Sequence, residues 1–185
     1  MGNRLSKIYT RTGDDGTTGL ADGRRVEKAG ALVALMGEVD ELNSLLGVVR
    51  AALDADAQAA AFDELLSEIQ HDLFDLGGEL AIGDAAVTTP ERVSWLEAAI
   101  DRLNEDLPPL KEFVLPAGNM AAAQCHVARS VSRRVERHAW RVETPGEIGA
   151  ESRRYLNRLS DLLFVLARTL ARRGGGHEVT WNRAR

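Results

Sequence analysis

Leu32-Val-Ala-Leu-Met-Gly-Glu-Val-Asp-Glu-Leu-Asn-Ser-Leu-Leu-Gly-Val-Val-Arg-Ala-Ala-Leu53 decides the fold class. In it Leu32, Leu35, Met36, Val39, Leu42, Leu46, Val49 and Leu53 recur at steps of three and four, the period of one face of an α-helix. Such a stripe buries itself against other helices. Working outward, the same period runs from Ala57 to Ala81 through Phe62, Leu65, Leu66, Ile69, Leu73, Leu76 and Leu80, with a stop near Gly83-Asp84. A third stretch opens at Thr89-Pro90-Glu91, where Thr89 is expected to cap and Pro90 suits the first helical position. It carries Val93, Leu96, Ile100, Leu103 and Leu107 up to Pro108-Pro109.

A fourth stretch follows Leu115-Pro116-Ala117-Gly118-Asn119 and reaches about Val142, with Met120, Val127, Val131 and Val135 expected on its buried side. The fifth begins after Thr144-Pro145-Gly146 and runs to Arg172 or Arg173, where Gly174-Gly175-Gly176 stops it. Almost nothing alternates like a strand. The expectation is an all-α, single-domain bundle over residues 30–173, preceded by a glycine-rich loop at 1–29 and followed by a tail at 174–185. The tail segment Glu178-Val-Thr-Trp-Asn either adds an edge contact or stays mobile.

A chain of 185 residues can bury a full core without disulfides, and its single Cys125 can form none internally. The net charge of −5 argues against nonspecific nucleic-acid binding. No run of about 18 apolar residues occurs, and the polar N-terminus leads into no apolar segment, so the expected location is the cytoplasm, with no membrane contact.

Two signatures make sense together. The loop Thr10-Arg11-Thr12-Gly13-Asp14-Asp15-Gly16-Thr17-Thr18-Gly19 offers backbone N–H groups and hydroxyls to an anion, because its glycines carry no Cβ. On the fourth stretch Arg129, Arg133 and Arg137 rise from one helix face at four-residue steps and repel one another unless anions intervene. One reading is a solvated face compensated by Glu136 and Glu143, the other a polyphosphate site.

Asp40 lies beside the apolar row of the first stretch and is either an exposed acid or the partner of a fourth-helix arginine, in the same subunit or the next. Asn157 and Asp161 sit one turn apart on the fifth stretch, placed for a ligand or an inter-helix hydrogen bond. Glu68-Ile-Gln-His71 matches one unit of a di-metal carboxylate bundle, but such sites need a second unit, which is absent. Cys125 reads as a small buried residue.

Taken in order, these segments resemble the PduO-type ATP:cob(I)alamin adenosyltransferases over nearly the whole chain. The matching motifs are Lys7-Ile-Tyr-Thr-Arg-Thr-Gly-Asp-Asp-Gly, Gly37-Glu-Val-Asp-Glu-Leu-Asn, Phe113-Val-Leu-Pro-Ala-Gly, Ala128-Arg-Ser-Val-Ser-Arg-Arg-Val-Glu-Arg and Asn157-Arg-Leu-Ser-Asp. The resemblance implies a ferritin-like, up-and-down five-helix bundle that assembles as a homotrimer, with ATP between adjacent subunits. By position, Tyr9, Thr10, Arg11, Thr12, Gly13, Asp14 and Gly16 would wrap ATP and Lys28 would reach its phosphates. Arg129, Arg133, Arg134, Glu136, Arg137 and Asn157 would form the helical side. Arg129 would pair with Asp40 across the subunit boundary, and both, with Arg133, would be catalytic.

The implied reaction moves the 5′-deoxyadenosyl group of ATP onto the cobalt of cob(I)alamin, with Mg²⁺ held through the phosphates rather than by protein ligands. Phe113 would meet cobalamin and displace its lower ligand. A flavoprotein reductase and a B12-dependent acceptor enzyme are the implied partners. Two departures stand out: Ala117 where relatives carry Gly or Ser, and Asp15 where a basic residue is frequent, an acid that Mg²⁺ or Arg11 would have to offset. The alternatives are a non-catalytic ATP sensor or adenosylcobalamin-delivery protein on the same fold, and a metal-storing bundle.

Overall fold

Helices form wherever the three-four period runs. The computed structural model describes residues 8–53, 57–83, 87–142 and 148–184. It has helices α1 (Ala31–Ala51), α2 (Ala57–Ile82), α3 (Pro90–Glu105), α4 (Met120–Ala139) and α5 (Ala150–Ala171). The expected turn at Thr144-Pro145-Gly146, Glu143, Asp84 and Lys7 fall outside the described residues.

Helix α1 packs on α2 and α4, and α5 packs on α4 and α3. Cross-links fix the directions. Asn43 and Gln70 exchange side-chain-to-backbone hydrogen bonds of 3.2 and 2.9 Å, so α1 and α2 are antiparallel once the Arg50–Asp63 pair at 2.7 Å is added. Glu38 meets His138 and Glu41 meets Arg134, which runs α4 against α1. Cys125 donates to the Leu163 carbonyl and Asn157 to Glu136, which runs α5 against α4. The result is an up-and-down bundle whose loop end collects the N-termini of α1, α3 and α5 and the C-termini of α2 and α4.

The predicted apolar stripe of α1 is buried, with Leu35, Leu42, Leu46 and Val49 inaccessible. Helix α4 differs from expectation: Met120 and Val127 are exposed, and its buried residues are Ala121, Ala122, Cys125, His126, Ala128, Val131, Ser132, Val135 and Ala139. Steps of three back from Val131 reach Ala128, Cys125 and Ala122 in turn, and a step of three back from Val135 reaches Ser132, so small residues form the buried row. Small side chains let α4 lie close against α5. At the same junction a Cβ on Gly118, whose φ is 116°, would come within 3.0 Å of the Ala171 Cβ.

The helix ends also correct the sequence reading. Thr89 takes the N-cap position of α3 but makes no side-chain cap bond; its hydroxyl goes to the Glu91 carboxylate, whose pKa that bond holds below its ordinary value. Pro90 does occupy the first turn. Helix α3 ends at Glu105, short of Leu107, because the residue before a proline avoids the helical region. Helix α5 is capped by another helix: the buried Glu79 of α2 accepts from Gly149 N–H at 2.6 Å and from the Ser152 hydroxyl at 2.7 Å.

Two short extended pieces escaped the periodicity. Strands β1 (Thr17–Gly19) and β2 (Arg25–Glu27) form an antiparallel hairpin with Thr18 opposite Val26, turning at Gly23 with φ 89°. Three-residue strands are too short to show a period; the Asp22-Gly23 turn pair was the available signal. The tail is ordered, with Thr180 bridged antiparallel to Val114.

Candidate active site

The loop is shaped by its own side chains. Asp15 accepts from the Thr17 N–H at 3.0 Å and the Thr17 hydroxyl at 2.8 Å, bonds that, with the Arg25 charge, lower its pKa. Its cationic neighbour is Arg25, 3.5 Å away, and not Arg11, which stacks over the Tyr9 ring at 5.3 Å. Two cations hold the loop backbone: Arg25 donates to the Thr12 carbonyl and Lys28 to the Gly13 carbonyl, each at 2.6 Å. A Cβ on Gly13 would meet Lys28 Nζ and the Thr17 carbonyl at 3.0 Å, so any larger residue would have to displace them slightly. Thr10 and Thr12 share a hydroxyl hydrogen bond of 2.9 Å, and Asp14 and Gly16 are exposed. The hairpin is tied to the bundle through buried Leu20 and the bond from Ala21 N–H to the Ala81 carbonyl.

The arginines of α4 fall into two groups. Arg133 and Arg137 are exposed, with Arg137 donating to the Arg133 carbonyl at 2.9 Å. Arg134 is already engaged: it pairs with Glu41 and lies 3.8 Å from Glu38, which also holds His138 at 2.6 Å. Among the described residues, the acids that a fourth-helix arginine meets are therefore Glu38 and Glu41, not Asp40. Asp40 is exposed on the far side of α1, at the edge of a groove of about 280 Å³ between α1 and α2 that includes Ser44, Gln70, His71 and Phe74. His71 is exposed there, and among the described residues no cluster of three His, Cys, Asp or Glu side chains suited to a metal occurs.

Glu136 and Asn157 are brought together, the amide donating at 2.8 Å, and Arg158 donates to the Asn157 oxygen at 2.5 Å. These residues border a cavity of about 370 Å³ with Trp140 and Arg153 at the loop end. Asp161 is exposed one turn on.

Arg129 and Phe113 share a different cavity, about 450 Å³, also lined by Leu110, Lys111, Glu112, Val114 and Phe164. Phe113 is 78% exposed and sets its ring edge-on to Trp181. Arg129 leans over the Phe164 ring at 5.9 Å, and its Nε is buried without a hydrogen-bond partner. Next to it, burial and the Arg129 charge keep buried His126 neutral by lowering its pKa. Burial pushes the Cys125 thiol up to about 12, so it stays protonated and is no nucleophile. Neither Phe164 nor Trp181 stood out in the sequence; an aromatic in an apolar helix and one in a polar tail carry no spacing signal.

The cobalamin adenosyltransferase family model matches residues 8–170. The chain belongs to that family. It is 50% identical to a cobalamin adenosyltransferase of Cupriavidus metallidurans over 100% of this chain and 99% of that one. A corrinoid adenosyltransferase of Mycobacterium leprae is 42% identical, covering 98% of both. Among solved structures, a Phe→Ala variant of a PduO-type ATP:corrinoid adenosyltransferase from Lactobacillus reuteri, complexed with cobalamin and ATP, superposes with a TM-score of 0.85. The identity there is 33%, covering 96% of this chain and 100% of that one. As a family member the chain is an adenosyltransferase built on a five-helix bundle. Among the described residues no helix is long and apolar enough to cross a membrane.

Proposed function

We propose that this protein transfers the 5′-deoxyadenosyl group of ATP to the cobalt of cob(I)alamin, giving adenosylcobalamin and triphosphate. Family membership supports the reaction, and the observation that carries it to residues is the cavity shared by Arg129 and Phe113, an unpartnered cation beside an exposed aromatic. The cobalt lone pair attacks C5′ of ATP, the C5′–O bond breaks, and its electrons leave on the triphosphate. The metal is the nucleophile, so the inert Cys125 thiol is no obstacle.

In this reading Tyr9, Thr10, Arg11, Thr12, Gly13, Asp14 and Gly16 close over the nucleotide, and Lys28 exchanges the Gly13 carbonyl for phosphate oxygen. Arg129, Arg133 and Arg137 stabilise the charge gathering on the leaving oxygen. Arg134 reaches it only by releasing Glu41, so its first task is to hold α4 against α1. Glu136 and Asn157 arrive as a hydrogen-bonded pair facing the ribose and base. Mg²⁺ would be held through the phosphates, where it would help neutralise their charge. Phe113 crowds the lower face of the corrin, and loss of the lower ligand eases reduction of Co(II).

The site is completed by a second copy in a homotrimer. Asp40 and Arg129 make no ion pair or hydrogen bond among the described residues, and they lie on different faces of the chain. Pairing them across a subunit boundary satisfies both. The deciding experiment follows the absorbance change from cob(I)alamin to adenosylcobalamin with ATP and a strong reductant, omitting ATP as control. No ATP-dependent change would overturn the assignment.

A further inference from the structure

The C-terminal tail is absent from every role above, yet it contains the most deeply buried ion pair among the described residues. Arg168 of α5 donates through Nε to Glu178 at 2.5 Å, with side chains 4% and 8% exposed. The same guanidinium donates to the Pro108 carbonyl at 2.7 Å, and Arg172 adds a contact to Glu178 at 3.2 Å. One buried cation thus joins α5, the start of the α3–α4 connection and the tail. Beyond it the tail runs beside the Phe113 segment: Leu115 N–H donates to the Val179 carbonyl and Trp181 N–H to the Phe113 carbonyl, both at 2.7 Å. The Trp181 ring then stands 6.3 Å from the Phe113 ring, centroid to centroid.

Phe113 itself has little else to hold it. Its side chain is 78% exposed, so core packing does not set its direction. Its backbone carbonyl and ring edge are both held by residue 181, and residue 181 is placed by the Glu178 anchor three residues earlier. A buried charge without its partner is expensive, so the pair keeps the tail in one register and disfavours alternatives. We propose that Arg168 and Glu178 are a positioning pair for the adenosylation reaction, acting through the tail to aim Phe113 at the corrin. This rests on the placement of Phe113 given above. The pair sits at the end of the bundle opposite the β1–β2 hairpin, which is tied to the last turn of α2.

The test compares Glu178→Ala and Glu178→Gln with Phe113→Ala in four measurements: thermal midpoint, ATP affinity, turnover from cob(II)alamin with reduced flavin, and turnover from cob(I)alamin supplied already reduced. Glu178→Ala should slow the cob(II)alamin reaction on the order of tenfold more than the cob(I)alamin reaction, because misplacing a positioned group by about 1 Å has effects of that size or larger. ATP affinity should stay within about twofold. The absorbance signature of four-coordinate cob(II)alamin on the ATP-loaded protein should weaken in parallel. Should Glu178→Ala fail to fold, Glu178→Gln decides, since it keeps the shape and one acceptor for Arg168. Equal slowing of both reactions overturns the proposal and leaves a packing pair. In the Phe113→Ala background, Glu178→Ala should add almost nothing, and an additive loss overturns the proposal. If Phe113→Ala slows the cob(II)alamin reaction and the Glu178 variants do not, the positioning idea fails alone. If Phe113→Ala spares that reaction, the corrin placement fails and takes this inference with it.

Discussion

The bundle carries a short antiparallel attachment at each end, and the two are held in opposite ways. At the loop end, the β1–β2 hairpin and the segment before it are fixed by exposed contacts, Asp15 with Thr17, Arg25 with the Thr12 carbonyl, Lys28 with the Gly13 carbonyl. At the other end, the pairing of residues 113–115 with 179–181 is anchored by the buried Arg168–Glu178 pair. Exposed polar contacts contribute little each and exchange readily with water or a ligand. A buried, hydrogen-bonded pair is costly to break. The loop is therefore suited to be reorganised by what it binds, and the tail is suited to hold a surface ready in advance.

The largest test of this contrast is stability. Arg168→Ala leaves the nearly inaccessible Glu178 with only its longer contact to Arg172 and should cost up to about 3–5 kcal/mol in chemical denaturation, whereas Arg25→Ala should leave the midpoint essentially unmoved. Similar shifts for the two would abolish the distinction. Next in size is a purely chemical effect. Arg133 is exposed, so Arg133→Ala should leave folding intact but lower turnover on the order of 10²-fold, about 2.7 kcal/mol in the transition state. Turnover close to that of the unmodified protein would remove Arg133 from the site.

A third test sharpens the contrast without mutation. Limited proteolysis should cut within residues 8–30 in the absence of ATP and much less in its presence, while cleavage near 177–184 stays equally slow in both. Nucleotide-independent cutting of the loop would contradict a ligand-ordered segment. The smallest effect concerns the Arg129 neighbourhood. His126 has a lowered pKa in the folded state, so its contribution to stability is complete above about pH 6.5 and is lost as pH falls through the folded value. Stability should decline gently from pH 6.5 downward, above the range where the lowered carboxylates Asp15, Asp63 and Glu91 titrate, and His126→Gln should flatten that decline.

The site was partly legible before the fold. The four-residue spacing of Arg129, Arg133 and Arg137 was visible, and so was the loop, because helical geometry and glycine chemistry are local. Arg134 was grouped with them on motif alone, and its capture by Glu38 and Glu41 follows from the α1–α4 packing. For Asp15 the sequence offers Mg²⁺ or an arginine such as Arg11 as the offset, and the hairpin brings a different arginine, Arg25, to it. Phe113 is singled out by resemblance alone, and its 78% exposure shows that it is not a core residue.

By itself, then, the sequence determined the five helices and most of their buried faces, because apolar period, proline and glycine act within a few residues of where they stand. It misjudged α4, where alanine, serine and cysteine form the contact face and hydrophobicity gives a weak signal. Only the tertiary structure decided which charges meet. It set Glu79 on the start of α5, Glu41 on Arg134 and Glu178 on Arg168, and among the described residues it left Asp40 and Arg129 without an ion-pair partner. Charges act across space at separations of 10 to 93 residues in these pairs, and no local pattern encodes them.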